Sequence, residues 1–69
     1  MGLRGRDIRA MRELKGIRQY VLRRAIRKSA KWLCDVEGEK VPLEPEVAEL
    51  LIVTINDIHR ARQRDEVAV

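Results

Sequence analysis

Cys34 is the only cysteine of this 69-residue chain, and His59 is its only histidine. One of each supports neither an intramolecular disulfide nor a thiolate zinc site. His59 stands between Asp57 and Arg60 with no nucleophile paired to it, and the chain has no phosphate-cradling glycine loop. Catalysis finds no support, so the expectation is a protein that is not an enzyme and takes no cofactor and no metal. The chemistry open to these residues is electrostatic. Residues 1–34 hold eleven Lys and Arg against Asp7 and Glu13, a surplus of +9; residues 35–69 hold four against nine acids, or −5. A polyanion would meet the first half, through Coulomb attraction and counterion release.

Helices must position those charges. Asp7 to Lys15 reads as a first helix, with Asp7 as N-cap, Ile8 and Met11 on a face with Lys15, Leu14 toward the core and Gly16 as the stop. Residues 1–6, MGLRGR, read as a flexible arm. Arg18 to Ala25 reads as a second helix with Val21, Leu22 and Ala25 as its apolar stripe and Ile17 just before it. Ser29 caps a third helix that runs to Glu37, carries Leu33 and Val36 inward, and stops at Gly38. Pro42 and Pro45 break the chain, and Pro45 suits the first turn of the next helix.

From residue 45 to 64 the pattern stays helical, as one long helix or two joined ones. Val47, Leu51, Ile55 and Ile58 form one stripe, Ala48, Ile52 and Ile55 another, with Leu50 and Val53 on a third side. Twenty residues reach about 30 Å, more than a small domain can cover. Leu50, Val53, Ile55 and Ile58 are therefore candidates for a dimer interface. DEVAV reads as a frayed tail.

Size and composition bound the rest. A chain this short forms one domain, 1–69, and buries only about 60% of its unfolded surface, so a partner subunit would help it. No apolar run is long enough to span a membrane. Met1 to Gly16 is rich in Arg and lacks the apolar centre of a secretory signal, so a cytoplasmic location is expected.

The run IRAMRELKGIRQYVLRRAIRKSAKWLCDVEGEKVP resembles the Cro and phage-repressor class of helix-turn-helix domain, the XRE type, over roughly residues 5–58. Ile8, Met11 and Arg12 match the family's first helix, and KGIRQ its loop into a second helix opened by Gln19. Leu22 matches a core position, Ser29 the opening of the third helix, and Glu37 with GEK and Pro42 the turn that ends it. The resemblance implies an all-α, lambda-repressor-like domain of four to five helices with an extended C-terminal helix. It makes 29–37 the recognition helix and Ala30, Lys31, Cys34 and Asp35 the base-reading positions. Lys31 could donate to guanine, Asp35 accept from cytosine, and Ala30 touch a thymine methyl. Arg18, Gln19, Lys28, Ser29 and Lys40 become phosphate-contact candidates, with Arg4 and Arg6 of the arm. In the family, a pair at the positions of Arg12 and Glu37 is a structural ion pair between the first and third helices.

The implied function is that of a small phage or bacterial transcription regulator, a repressor. It would bind double-stranded operator DNA as a homodimer and act by occlusion. The alternative is a helix-turn-helix fold used as a protein-binding module, such as a phage protein that binds a host factor. A basic membrane-surface helix, Ile17 to Leu33, would leave VEGEKVP and the long C-terminal helix without a role, so no membrane partner is expected. The sequence departs from the family at four places. Arg23 stands where a small residue is usual, Arg27 where a turn glycine is common, Trp32 is bulky, and Asp35 turns a negative charge toward DNA.

Overall fold

A computed structural model describes residues 2–67, with side chains described as far as Arg64. The described residues form four helices and no strand: α1 (Gly5–Leu14), α2 (Gln19–Ala25), α3 (Ala30–Glu37) and α4 (Pro45–Val67). Each of the first three ends in the same hydrogen-bonded turn. The N–H of Ile17 reaches the Arg12 carbonyl at 3.0 Å, that of Lys28 reaches Arg23 at 2.9 Å, and that of Lys40 reaches Asp35 at 2.9 Å. Such a turn needs one left-handed residue just past the helix. Gly16, Arg27 and Glu39 fill that position, with φ of 67°, 58° and 60°. Only the first is glycine, so the other two turns carry backbone strain.

Several boundaries differ from those the sequence suggests. α1 begins at Gly5, not at Asp7, because Asp7 caps from inside: its Oδ2 accepts the Arg4 N–H at 2.8 Å, and Arg4 becomes the N-cap. The six-residue arm therefore shrinks; Gly5 and Arg6 are helical, and Met1 lies outside the described residues. α3 ends at Glu37 with Gly38 as its C-cap, where the sequence puts the stop; Gly38 has an ordinary negative φ, and the left-handed residue is Glu39, one position later. α4 is one continuous helix reaching Val67, so part of the expected tail is helical; Ala68 and Val69 lie outside the described residues.

All four helices feed one core: Ile8 from α1, Leu22 from α2, Leu33 and Val36 from α3, Leu51 and Ile55 from α4, with Ile17 from the first loop. α1 and α2 each pack on both α3 and α4. Leu14 does not join them; it is 86% exposed because the buried stripe Gly5, Ile8 and Arg12 places it on the far side of α1. Ala25 is also exposed, and Ile26 beyond the helix end packs on the core instead. His59 is half-buried. Near the other end of α4, Arg62 Nη1 donates to the Gly16 carbonyl at 2.9 Å and ties the long helix to the first turn.

Gly5 is buried where the first turn of α1 lies on the last turn of α3. A Cβ there would overlap the Val36 carbonyl, whereas Gly2 has open space around it. Gly5→Ala is expected to cost about 1–3 kcal/mol or more in urea unfolding, with Gly2→Ala as the unaffected control. Arg27→Gly relieves a left-handed side chain against the added chain entropy of glycine, so a net gain of up to about 1 kcal/mol is expected in the same assay.

Candidate functional site

Arg12, on the inner face of α1, is 7% exposed, and Glu37, the last residue of α3, is 5% exposed. Their side chains meet through two parallel hydrogen bonds of 2.8 Å, from Nε to Oε2 and from Nη2 to Oε1. Arg12 Nη1 donates further to the Ile17 carbonyl at 2.8 Å, and the Gln19 amide donates to Glu37 Oε1 at 2.9 Å. One planar, two-pronged contact thus joins α1, the first loop, the start of α2 and the end of α3. Such forked pairs are geometrically demanding, so the contact sets how α3 is turned about its axis.

With Leu33, Val36 and Glu37 buried, α3 presents Ala30, Lys31 and Cys34 to solvent. Ser29 caps the helix by accepting the Trp32 N–H at 3.1 Å, which leaves its own hydroxyl proton free to donate. Asp35 is less open: its side chain is 20% exposed, and it holds the Lys31 ammonium at 3.1 Å. A depression of about 510 Å³ beside Cys34 is lined by Arg9, Arg12, Arg18, Gln19 and Glu37. Arg18 is exposed at the N-cap of α2, and Gln19 is half-buried with its amide committed to Glu37.

The sequence reading left out Arg9, which lines the same depression. It is bound to Glu13 at 2.9 Å. That hydrogen bond, and then the Arg9 charge, hold the Glu13 carboxyl below the usual carboxylate range, while Glu13 raises Arg9 in return. The contact is therefore present at neutral pH and lost as pH falls through the lowered Glu13 range. Its signal in the sequence was the four-residue spacing of Arg9 and Glu13 on one helix face.

The other expected cations are not brought to this depression. Lys28 lies beyond the second turn with its ammonium 5.4 Å from the centre of the Trp32 ring. Lys40 and Arg4 border a separate depression of about 370 Å³ between the N-terminal segment and the loop after α3. Arg6 comes within 3.9 Å of Glu39. Of the eleven cations in residues 1–34, Arg6, Arg9, Arg12 and Lys31 meet a carboxylate within 3.9 Å; the other seven do not, among the described residues. Among the described residues, internal pairing leaves most of the surplus positive charge uncompensated.

Trp32 is half-buried and packs on the core, on the flank of α3 away from Cys34. Arg23 is half-buried with its Nε lacking a hydrogen-bond partner. On α4, Leu50 and Val53 are each 50% exposed and Ile58 is half-buried, but Ile55 is fully buried. Ile55 therefore leaves the set of interface candidates, since the monomer's own core covers it. No group of His, Cys, Asp and Glu among the described residues could hold a metal ion, and no helix among them is long and apolar enough to cross a membrane. No protein-family model, no curated protein and no solved structure matches the chain.

Removing Glu37 leaves the Arg12 guanidinium buried without its counter-charge. Glu37→Ala is expected to cost about 3–5 kcal/mol in chemical denaturation. Gln19→Ala, which removes one hydrogen bond and leaves the ion pair whole, should cost about 1 kcal/mol in the same measurement.

Proposed function

We propose that this chain is a helix-turn-helix domain of the phage-repressor type. In this reading it is a small sequence-specific DNA-binding regulator that represses by occupying operator DNA as a dimer. α2 is the bracing helix and α3 the helix that enters the major groove. The observation that carries the reading is the outer face of α3: Ala30, Lys31 and Cys34 are exposed beside a depression bordered by Arg9 and Arg18. Base edges are read by short polar and apolar groups on such a face, and flanking cations fix the register on phosphates. The seven cations of the first half that meet no carboxylate among the described residues supply the non-specific attraction. No catalytic role is proposed.

The roles divide by position. Lys31 is the guanine reader, exchanging Asp35 for the base. Ala30 and Cys34 make close contacts, and Arg18 with Arg9 holds the phosphates. Ser29, Lys40, Arg4 and Arg6 are peripheral phosphate contacts. Gln19 acts by holding Glu37, and Asp35 accepts from cytosine only where Lys31 has turned away. The Lys31–Asp35 pair gives the protein-binding reading its footing, because it partly neutralises the face on which DNA reading depends.

Salt dependence and sequence selection test the proposal together. With about six phosphate contacts, affinity should fall about a thousandfold between 50 and 200 mM salt. Selection from random duplexes should enrich one two-fold site, and Lys31→Ala should cost about 1–3 kcal/mol at a guanine of that site. Equal and weak binding to every duplex, with no motif enriched, would sink the regulator and favour a host-protein partner.

A further inference from the structure

Charge is not spread evenly along α4. Glu46 and Glu49 lie near its start, and Arg60, Arg62 and Arg64, three of the four cations in residues 35–69, near its end. Ile55 is the last fully buried residue among those described, and residues 60–64 are exposed, so core packing does not account for them. The helix dipole favours cations near a C-terminus, which explains their charge but not where Arg62 is held. Its Nη1 donates at 2.9 Å to the carbonyl of Gly16, 46 positions away in the chain. Lys15 precedes that glycine and Arg18 follows two residues on, so three cations gather at the turn between α1 and α2. None of the three meets a carboxylate within 4.0 Å among the described residues. Glu13 is taken by Arg9, Asp57 makes no ion pair among the described residues, and Asp65 and Glu66 follow in the sequence. Like charges brought together repel, a cost that a polyanion laid across them removes.

We infer that Arg62 is a further contact to the DNA backbone. The phosphate strand that crosses the start of α2 runs from the depression beside Cys34, over Arg18, to Arg62 and Lys15 at the α1–α2 turn. Two features select this role. The first is continuity. Arg18 lines the depression beside Cys34 and stands two residues from the carbonyl that holds Arg62. Consecutive Cα atoms are about 3.8 Å apart, so the two cations' anchoring points lie within about 7.6 Å of each other. The second is unused donor capacity. A guanidinium carries five N–H donors in a fixed fork, and Arg62 is exposed with only Nη1 engaged among the described residues. Its remaining donors suit a phosphate, and a fork already pinned at one corner loses less freedom on binding. Arg60 and Arg64 stand two residues to either side of Arg62, about 200° round the helix, and so face away from the Gly16 turn.

This contact rests on the DNA reading proposed above and adds α4 to the surface that carries it. The second half of the chain, acidic in sum, thereby supplies a cation to the basic face of the first half.

Binding of the full chain to a short duplex of random sequence, titrated with salt, tests the contact without knowledge of an operator. Arg62→Gln should reduce the slope of log affinity against log salt by about 0.9, so its deficit against wild type shrinks about threefold from 50 to 200 mM salt. Arg62→Lys keeps the charge and should keep the slope. Arg64→Gln removes the same charge from the far side of the helix and should leave the slope unchanged. Circular dichroism and urea unfolding report on folding. If Arg62→Gln does not fold, Lys15→Gln, which leaves the bond to Gly16 whole, decides in its place and should lose a similar slope. A purely structural Arg62 would lower the urea midpoint and leave the slope at its wild-type value, which overturns the inference. So would equal losses of slope in Arg62→Gln and Arg64→Gln, because net charge alone then explains both. A wild-type chain that binds no duplex at 50 mM salt would overturn the DNA reading and this contact with it. Wild-type binding that Arg62→Gln leaves unmoved would overturn this contact alone.

Discussion

The rest of the structure depends on the buried contact between Arg12 and Glu37. Burying two charges is expensive, and their attraction does little more than repay the loss of water. What such a pair supplies is geometry. The guanidinium fork has one good way to meet a carboxylate, and Arg12 meets Glu37 through both prongs while holding the Ile17 carbonyl with its third nitrogen. Gln19 then closes the remaining approach to Glu37. If α3 rolled about its axis, the fork would open and leave a charge without water or partner. Apolar packing of Leu33 and Val36 alone would tolerate small rotations, because dispersion and burial have no direction. The outward face of α3 is therefore fixed by a polar contact on its inward side.

The helix ends extend the same constraint to the loops. Each of the first three helices stops in a left-handed residue, so the chain reverses within a few positions and the helices stay in contact. Two of these residues, Arg27 and Glu39, flank α3 on either side and carry the strain that Gly16 avoids. The strain persists because both neighbours are held: Ile26 is packed on the core, and Gly38 sits under the Cys34 carbonyl, to which its N–H donates at 2.9 Å. The Arg62 hydrogen bond to the Gly16 carbonyl, an exposed contact, adds a tie between α4 and the turn that joins α1 to α2.

How much of this could be read from the residues depended on whether the signal was periodic or local. The two stripes of α4 were legible in part because burial on a helix repeats every three or four positions: Leu51 and Ile55 of one and Ala48 of the other are buried, while Val47, Ile52 and Ile58 are half-buried; the Ser29 cap was legible too. Asp7 misled because the same carboxylate can cap from the N-cap or from three residues inside, and only the packing of Gly5 on Val36 decides between them. Gly38 marked the end of α3 correctly, but glycine only permits a left-handed turn and does not fix its position, and Glu39 took the strain. Ile55 was offered as interface although it belonged equally to two apolar stripes of α4, where the shared position is the one that points inward. The site was less legible than the fold. Lys28 and Arg18 look alike in sequence, yet one stacks on Trp32 and the other borders the depression beside Cys34.

The Lys31–Asp35 pair sits awkwardly with a face for DNA, and its energetics bear on that proposal. Lys31 is 86% exposed, so its attraction to Asp35 acts largely through water. An exposed i, i+4 pair contributes about 0.3–0.5 kcal/mol and is screened by salt. Breaking it costs little beside a good base contact, whose discrimination is about 1–3 kcal/mol. On the proposed reading Asp35 therefore holds Lys31 in place until a base edge offers a better acceptor, and it disfavours any site that brings an acceptor to Asp35 instead. A negative charge beside a cationic reader costs some general affinity, and in exchange it penalises wrong sequences more than right ones.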